Sequence, residues 1–185
     1  MRYIIGFLVT IGLVIVVLIL LFHGGGTPKT STSPQTLSQY ANNASTDVRW
    51  TVDGPINSPQ DHRQVQITVN QNQIEADVLK GYNGEVLRNK TYANNPTSYA
   101  VLLHALQIDG FAKGNTAADV SDYRGYCAAG DRFIYEVLTS DKSHKQRFWY
   151  TTCGQGSYKG NVQLTNDLFK AQVPDYDRLT GDVAL

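Results

Sequence analysis

An α+β domain carried behind a membrane anchor is the architecture this sequence predicts, and three observations predict it. Residues 3–22 form one uncharged apolar run. Further on, short alternating segments recur in pairs, and each pair is followed by a stretch with helical spacing. The only two cysteines, Cys127 and Cys153, bracket the second pair. Paired strands with helices behind them pack most economically as one antiparallel sheet of about five to six strands covered on one side by two helices. One disulfide would close the second pair.

The apolar run comes first. A helix over residues 3–22 rises about 1.5 Å per residue and so spans about 30 Å, the thickness of a bilayer core. Arg2 and the terminal amine precede it, which keeps residues 1–2 as a cytoplasmic stub and exports the remainder. A cleaved signal peptide fits less well, because its apolar part spans about 7–15 residues and ends in a small-x-small site. Phe22, His23 and Gly24 offer no such site. Gly6 and Phe7 after Arg2 resemble the start of a type IV pilin precursor. That family's glutamate, however, would fall on Ile11, and Gly24, Gly25 and Gly26 break the helix where a pilin's continues.

Residues 23–46 are rich in Gly, Ser, Thr, Asn and Pro and read as a flexible linker with a mean span of about 26 Å. The folded domain is expected over residues 47–173, with a polar tail over 174–185 that frays unless Tyr176 and Leu179 dock. Asn43 and Asn89 begin triplets of the N-glycosylation type, which matter only in a eukaryotic source.

Residues 48–52 alternate and open the domain as a strand. Val65, Ile67 and Val69 then alternate with polar residues, as do Ile74, Ala76 and Val78. Folding about Gln71 and Asn72 sets Val69 opposite Ile74, Ile67 opposite Ala76 and Val65 opposite Val78. All six share one face only in that register. Gln64, Gln66, Glu75 and Asp77 are then expected to meet water. Gly81 and Gly84 turn the chain into a third strand over residues 85–88. Asn95 and Pro96 begin a helix as cap and first helical residue, and Tyr99, Leu102, Leu103 and Leu106 form its core stripe. Gly110 ends it, with Phe111 folding back. His104 sits beside the stripe as a boundary residue.

Two aromatic and β-branched arms, residues 132–138 and 145–152, flank a polar turn and form a hairpin. Exported thiols usually pair, so Cys127 and Cys153 are assigned to a disulfide that staples it. Asn161 or Thr165 caps a second helix carrying Leu164, Leu168 and Phe169, and Pro174 stops it.

Composition excludes more function than it assigns. Sixteen basic and sixteen acidic residues cancel, so nothing points to nucleic acid. Eleven tyrosines suit either a recognition surface or a half-buried sheet. The glycines of residues 154–160 lack P-loop spacing and read as a turn. Asp131 and Glu136 read as solvated charges on the hairpin. Thr151, Thr152 and Cys153 resemble the nucleophile strand of sortases, which would imply His104 or His62 and Arg178 as partners. That family's arginine lies much nearer its cysteine, and a second cysteine gives Cys153 a structural role instead. No catalytic, cofactor or metal residue is assigned.

Arg147, Phe148, Trp149, Tyr150, Thr151, Thr152, Cys153 and Gly154, together with residues 168–176 (Leu168 to Tyr176), are similar to a family of short, membrane-anchored proteins of Saccharibacteria and related candidate-phyla bacteria. That family carries no assigned activity, so the resemblance implies a bacterial source and a membrane location. The function expected is that of a single-pass extracytoplasmic binding domain, non-enzymatic, facing a protein or polymer of the cell envelope.

Overall fold

Alternation in strand β1 (Thr46–Asp53) places Val48, Trp50 and Val52 on one face and Arg49, Thr51 and Asp53 on the other. The computed structural model describes residues 36–42, 45–117, 122–183 and 185. Within them β2 (Arg63–Val69), β3 (Gln73–Lys80), β4 (Glu85–Ala93), β5 (Arg132–Thr139) and β6 (His144–Thr151) join β1 in a six-stranded sheet. The order is β4-β3-β2-β1-β5-β6, with every neighbouring pair antiparallel. Helices α1 (Pro96–Asp109), α2 (Val162–Lys170) and the short α3 (Tyr176–Thr180) complete the fold. An α+β architecture with one disulfide is therefore observed. The predicted membrane span, residues 3–22, lies outside the described residues, and no helix among those described is long and apolar enough to cross a membrane.

Local chemistry accounts for the elements near each turn. The β2–β3 register is the predicted one, with Val69 opposite Ile74, Ile67 opposite Ala76 and Val65 opposite Val78. Asn70 makes that turn: its side-chain oxygen accepts from the backbone N–H groups of Asn72 at 2.9 Å and Gln73 at 3.0 Å. Asn95 caps α1 by accepting from the Ser98 N–H at 2.9 Å. At the other end Gly110 takes φ 90°, and the N–H groups of Gly110 and Phe111 return to the carbonyls of Gln107 and Leu106. This is the Schellman pairing, and it needs a residue at ease with positive φ.

The helices cover the apolar face of the sheet. Trp50, Tyr99, Leu103, Leu106, Phe111, Tyr135 and Phe169 are all buried in one cluster. Trp50 stacks on Phe169 at 6.3 Å between ring centroids, and Phe111 meets Phe169 at 5.7 Å. Several polar groups inside this layer are paired, although one Asp109 carboxylate oxygen is buried without a partner among the described residues. The Asn166 side-chain oxygen accepts from both the Trp50 indole and the Tyr135 hydroxyl, each at 2.9 Å. Tyr158 donates to Thr165, which donates to the buried Asp109.

Four expectations change. β4 runs on to Ala93 rather than ending near Arg88. The end of the expected linker is ordered, since Leu37–Asn42 forms a 3₁₀ turn whose Leu37 is buried and whose Ser38 binds Gln107 on α1. The tail docks instead of fraying. Asp175 receives Lys90 and Tyr92 from β4, Arg88 pairs with Asp182, and Leu179 is buried. Finally, the face given to water is partly covered: Asp77 is buried, and Gln64, Gln66 and Glu75 are half-buried. The alternation rule separates two faces but does not say that one of them is bare.

Cys127 and Cys153 are joined, with 5.7 Å between their Cα atoms and a sequence separation of 26. On the chain-entropy model, closing a loop of this size stabilises the fold by about 3.5 kcal/mol. Denaturant unfolding of the doubly substituted Cys127→Ser, Cys153→Ser protein is expected to show a loss of that order, and a loss under about 1 kcal/mol would contradict it. Asn166→Ala leaves two buried donors without an acceptor and is expected to cost about 2–4 kcal/mol in the same measurement.

Candidate functional site

Strand pairing assembles the polar face of the sheet rung by rung. Arg49 of β1 lies opposite Glu136 of β5, and Glu136 lies opposite Arg147 of β6. Cross-strand neighbours of opposite charge attract, so the register itself sets an Arg–Glu–Arg ladder across three strands. One carboxylate oxygen of Glu136 lies 3.3 Å from the Arg147 Nε and 3.1 Å from the His144 Nδ1. The other lies 3.7 Å from an Arg49 Nη, too far for a hydrogen bond. Glu136 is 5% exposed at its side chain, whereas Arg147 and His144 are 37% and 45% exposed.

Arg49 shares a buried, unpartnered Nε with Arg132, but Arg132 also donates to the Gly54 carbonyl through an Nη. The Arg49 side chain is only 18% exposed, and Glu136 is its single ion pair among the described residues. A buried guanidinium usually has its planar set of donors engaged. Here that set lines a cavity of about 250 Å³ whose floor also includes Thr51, Gln64 and Gln66.

Tyr123 supplies the wall, and its ring lies 5.1 Å from the Arg147 guanidinium. Burial raises the phenol of Tyr123 above its ordinary value. Beyond it Arg124 grips Asp122 through several hydrogen bonds and holds that carboxyl down to about 2. This covering segment is fastened to the sheet by the Cys127–Cys153 bond and by Tyr126, which lies 4.8 Å from the Trp149 ring. A depression of about 570 Å³ along Asp122, Arg124 and Arg147 adjoins the cavity at Tyr123.

The next charged group on the same face is closed rather than open. Asp53 binds the His62 Nε2 at 2.8 Å and the Gln64 amide at 3.0 Å, and lies 3.2 Å from the Arg132 Nε. The His62 Nδ1 lies 3.0 Å from the Pro55 carbonyl oxygen, and Arg132 donates to the Gly54 carbonyl. His62 has no exposed surface. These contacts hold residues 54–62 against the sheet.

No protein-family model and no curated protein matches this chain. The residues must therefore speak for themselves.

They do not assemble a cysteine catalytic site. The Cys153 sulfur is bonded to Cys127 and offers no thiolate. His62 is buried against Asp53, His104 is exposed on α1, and Arg178 pairs with Asp175. The glycine-rich loop is explained by packing: a β-carbon on Gly156 would lie 2.3 Å from the Trp149 carbonyl oxygen, because this segment runs against β6. Among the described residues no group of His, Cys, Asp and Glu could hold a metal ion. Glu136 is the clearest correction, since the charge read as solvated is buried at the centre of the ladder. Arg49, Tyr123 and Arg147 escaped notice as well. The available signal was the lone carboxylate at 136 within the aromatic and apolar run 133–138, where burial calls for a cation beside it.

Asp77 gives this face a measurable pH dependence. Burial raises its carboxyl above the ordinary value of 3.8, against a hydrogen bond from Asn89 that lowers it. A carboxyl raised by folding disfavours the native state once it ionises. The penalty is therefore absent well below pH 3.8 and grows as pH rises through the folded value. Asp77→Asn keeps an acceptor for Asn89 and is expected to raise stability at pH 7 while flattening the stability profile above about pH 4. Denaturant midpoints measured across that range check it; an unchanged slope contradicts it.

Proposed function

We propose that this chain is a membrane-tethered, extracytoplasmic binding protein that holds a polar ligand in the cleft between Arg49, Glu136, Arg147 and Tyr123. The cleft carries this reading: it is concave, open to solvent, and lined by Arg49 and Arg147, whose Nη groups no described residue engages in a hydrogen bond. In this reading residues 3–22 anchor the chain with its N-terminus in the cytoplasm, and the domain works outside as a non-enzymatic receptor for an envelope protein or polymer. The uncharged apolar run supports the anchor. The disulfide supports the compartment, because such bonds persist where conditions are oxidising. The likeness to Saccharibacteria membrane proteins supports a bacterial envelope.

Two arms test this. In intact bacterial cells producing the full chain, added protease is expected to degrade the domain, and the chain is expected to fractionate with membranes. Protection of the domain would end the extracytoplasmic reading. Separately, envelope material retained by the immobilised full chain is expected to be lost with Thr51→Trp, which fills the cleft from its floor. Retention equal to that of the unsubstituted protein would remove the cleft from the function.

A further inference from the structure

The cleft's chemistry narrows what it can hold, and on the proposed binding role we infer that its ligand is the terminal carboxylate of a peptide, taken between Arg49 and Arg147. Three observations point there.

The first is the state of the two guanidinium groups. The Arg49 guanidinium makes no hydrogen bond with any described residue, and its Nε is buried. Arg147 directs its Nε at Glu136 and stacks on Tyr123, and its two Nη groups have no hydrogen-bond partner among the described residues. Two planar donor sets on one cavity wall match a carboxylate, which accepts in-plane bonds at both oxygens.

The second is charge. Among the described residues two arginines pair with one carboxylate, Glu136, so the ladder itself carries one positive charge in excess before His144 is counted. Asp77 on β3 and Asp122 both feel these arginine charges, but Asp77 accepts from Asn89, Asp122 is held by Arg124, and neither lines this cavity. A monoanion balances that excess. A phosphate dianion would overshoot it and be repelled by Glu136, which cannot move away because Arg147 and His144 hold it.

The third is what surrounds the arginines. The amide nitrogens of Gln64 and Gln66 are engaged with Asp53 and Thr51, at 3.0 and 3.3 Å, while their side-chain carbonyls accept from no described residue. A terminal carboxylate is preceded by a peptide N–H, and these free acceptors lie on the same cavity floor. Carboxylate to arginine and N–H to glutamine is a complete reading of a chain end. A uronic acid offers the carboxylate without the N–H.

The test titrates the full chain in detergent micelles with N-acetyl-alanine, N-acetyl-alaninamide, digalacturonate and inorganic phosphate, following the arginine Nε–H signals by NMR. N-acetyl-alanine is expected to bind saturably and to shift Arg49 and Arg147. The amide is expected to bind at least about tenfold more weakly, as is N-acetyl-alanine to Arg147→Gln, that being the scale of one charge-assisted hydrogen bond. Arg49→Gln is expected to act likewise; Arg147→Gln, at an exposed position, keeps the test valid should the buried substitution unfold the protein. Equal binding of acid and amide, or tighter binding of digalacturonate or phosphate, overturns the inference. If the acid fails to bind while Thr51→Trp still abolishes retention of envelope material, the cleft remains the binding site and only the carboxylate assignment falls. If Thr51→Trp also has no effect, the binding reading falls first and takes this one with it.

Discussion

Strand β1 is hydrogen-bonded on both of its edges, to β2 and to β5, and both faces of the domain depend on that double pairing. Because side chains alternate, the strand that inserts Trp50 into the core beneath Phe169 also presents Arg49 to the cleft. A slip of one residue would bury Arg49 and Asp53 under the helices and turn Trp50 outward. Arg49 would lose Glu136 and Asp53 would lose His62 and Arg132, and burial of an ion stripped of its partner costs several kcal/mol. Core and cleft therefore enforce a single register from opposite faces. The Arg49–Glu136–Arg147 ladder is as much a product of this constraint as the hydrophobic core.

The helix layer is specified by polar atoms placed where mispairing would be costly. Apolar contact alone would let α2 slide over Trp50 and Tyr135 with little penalty. Asn166 removes that freedom, since one oxygen serves both rings and any shift strands two buried donors. Tyr158, Thr165 and Asp109 form a second such line, running from the segment after β6 through α2 to the end of α1. Burial of Tyr158 pushes its hydroxyl up to about 12, which keeps it a donor at any physiological pH.

What could be read from sequence divides along the same physical lines. The β2–β3 register and the limits of α1 were legible because their determinants are local: alternating apolar residues about a tight turn, an Asn–Pro start and a Gly stop. The ladder was not. It requires knowing that residues near 49 lie beside residues near 136, and no turn connects those segments. Glu136 was misjudged for the same reason, because a lone carboxylate looks solvated until its arginines are placed around it. Docking of the tail was equally hidden, since Asp175 and Asp182 reveal their use only beside Lys90 and Arg88. The disulfide was legible from cysteine count and position alone.

The disulfide's task nevertheless differs from that of a hairpin staple. β5 and β6 are already paired along almost their whole length, and β5 is clamped on its other edge by β1. Tying the ends of such a hairpin adds little to its alignment. The covering segment from Asp122 to Gly130 forms no strand, and what holds it among the described residues includes the Tyr123 ring against Arg147, the Tyr126 ring on Trp149, the Ile56 N–H donated to the Ala128 carbonyl and the bond to Cys153. That segment carries Tyr123, the wall of the cleft and the ring against Arg147. Chain entropy stabilises the fold wherever the bond falls, but its position in the native state decides which geometry it protects. Here it helps fix the wall that no strand ladder holds, so the covalent link seen first in the sequence belongs to the site as much as to the sheet.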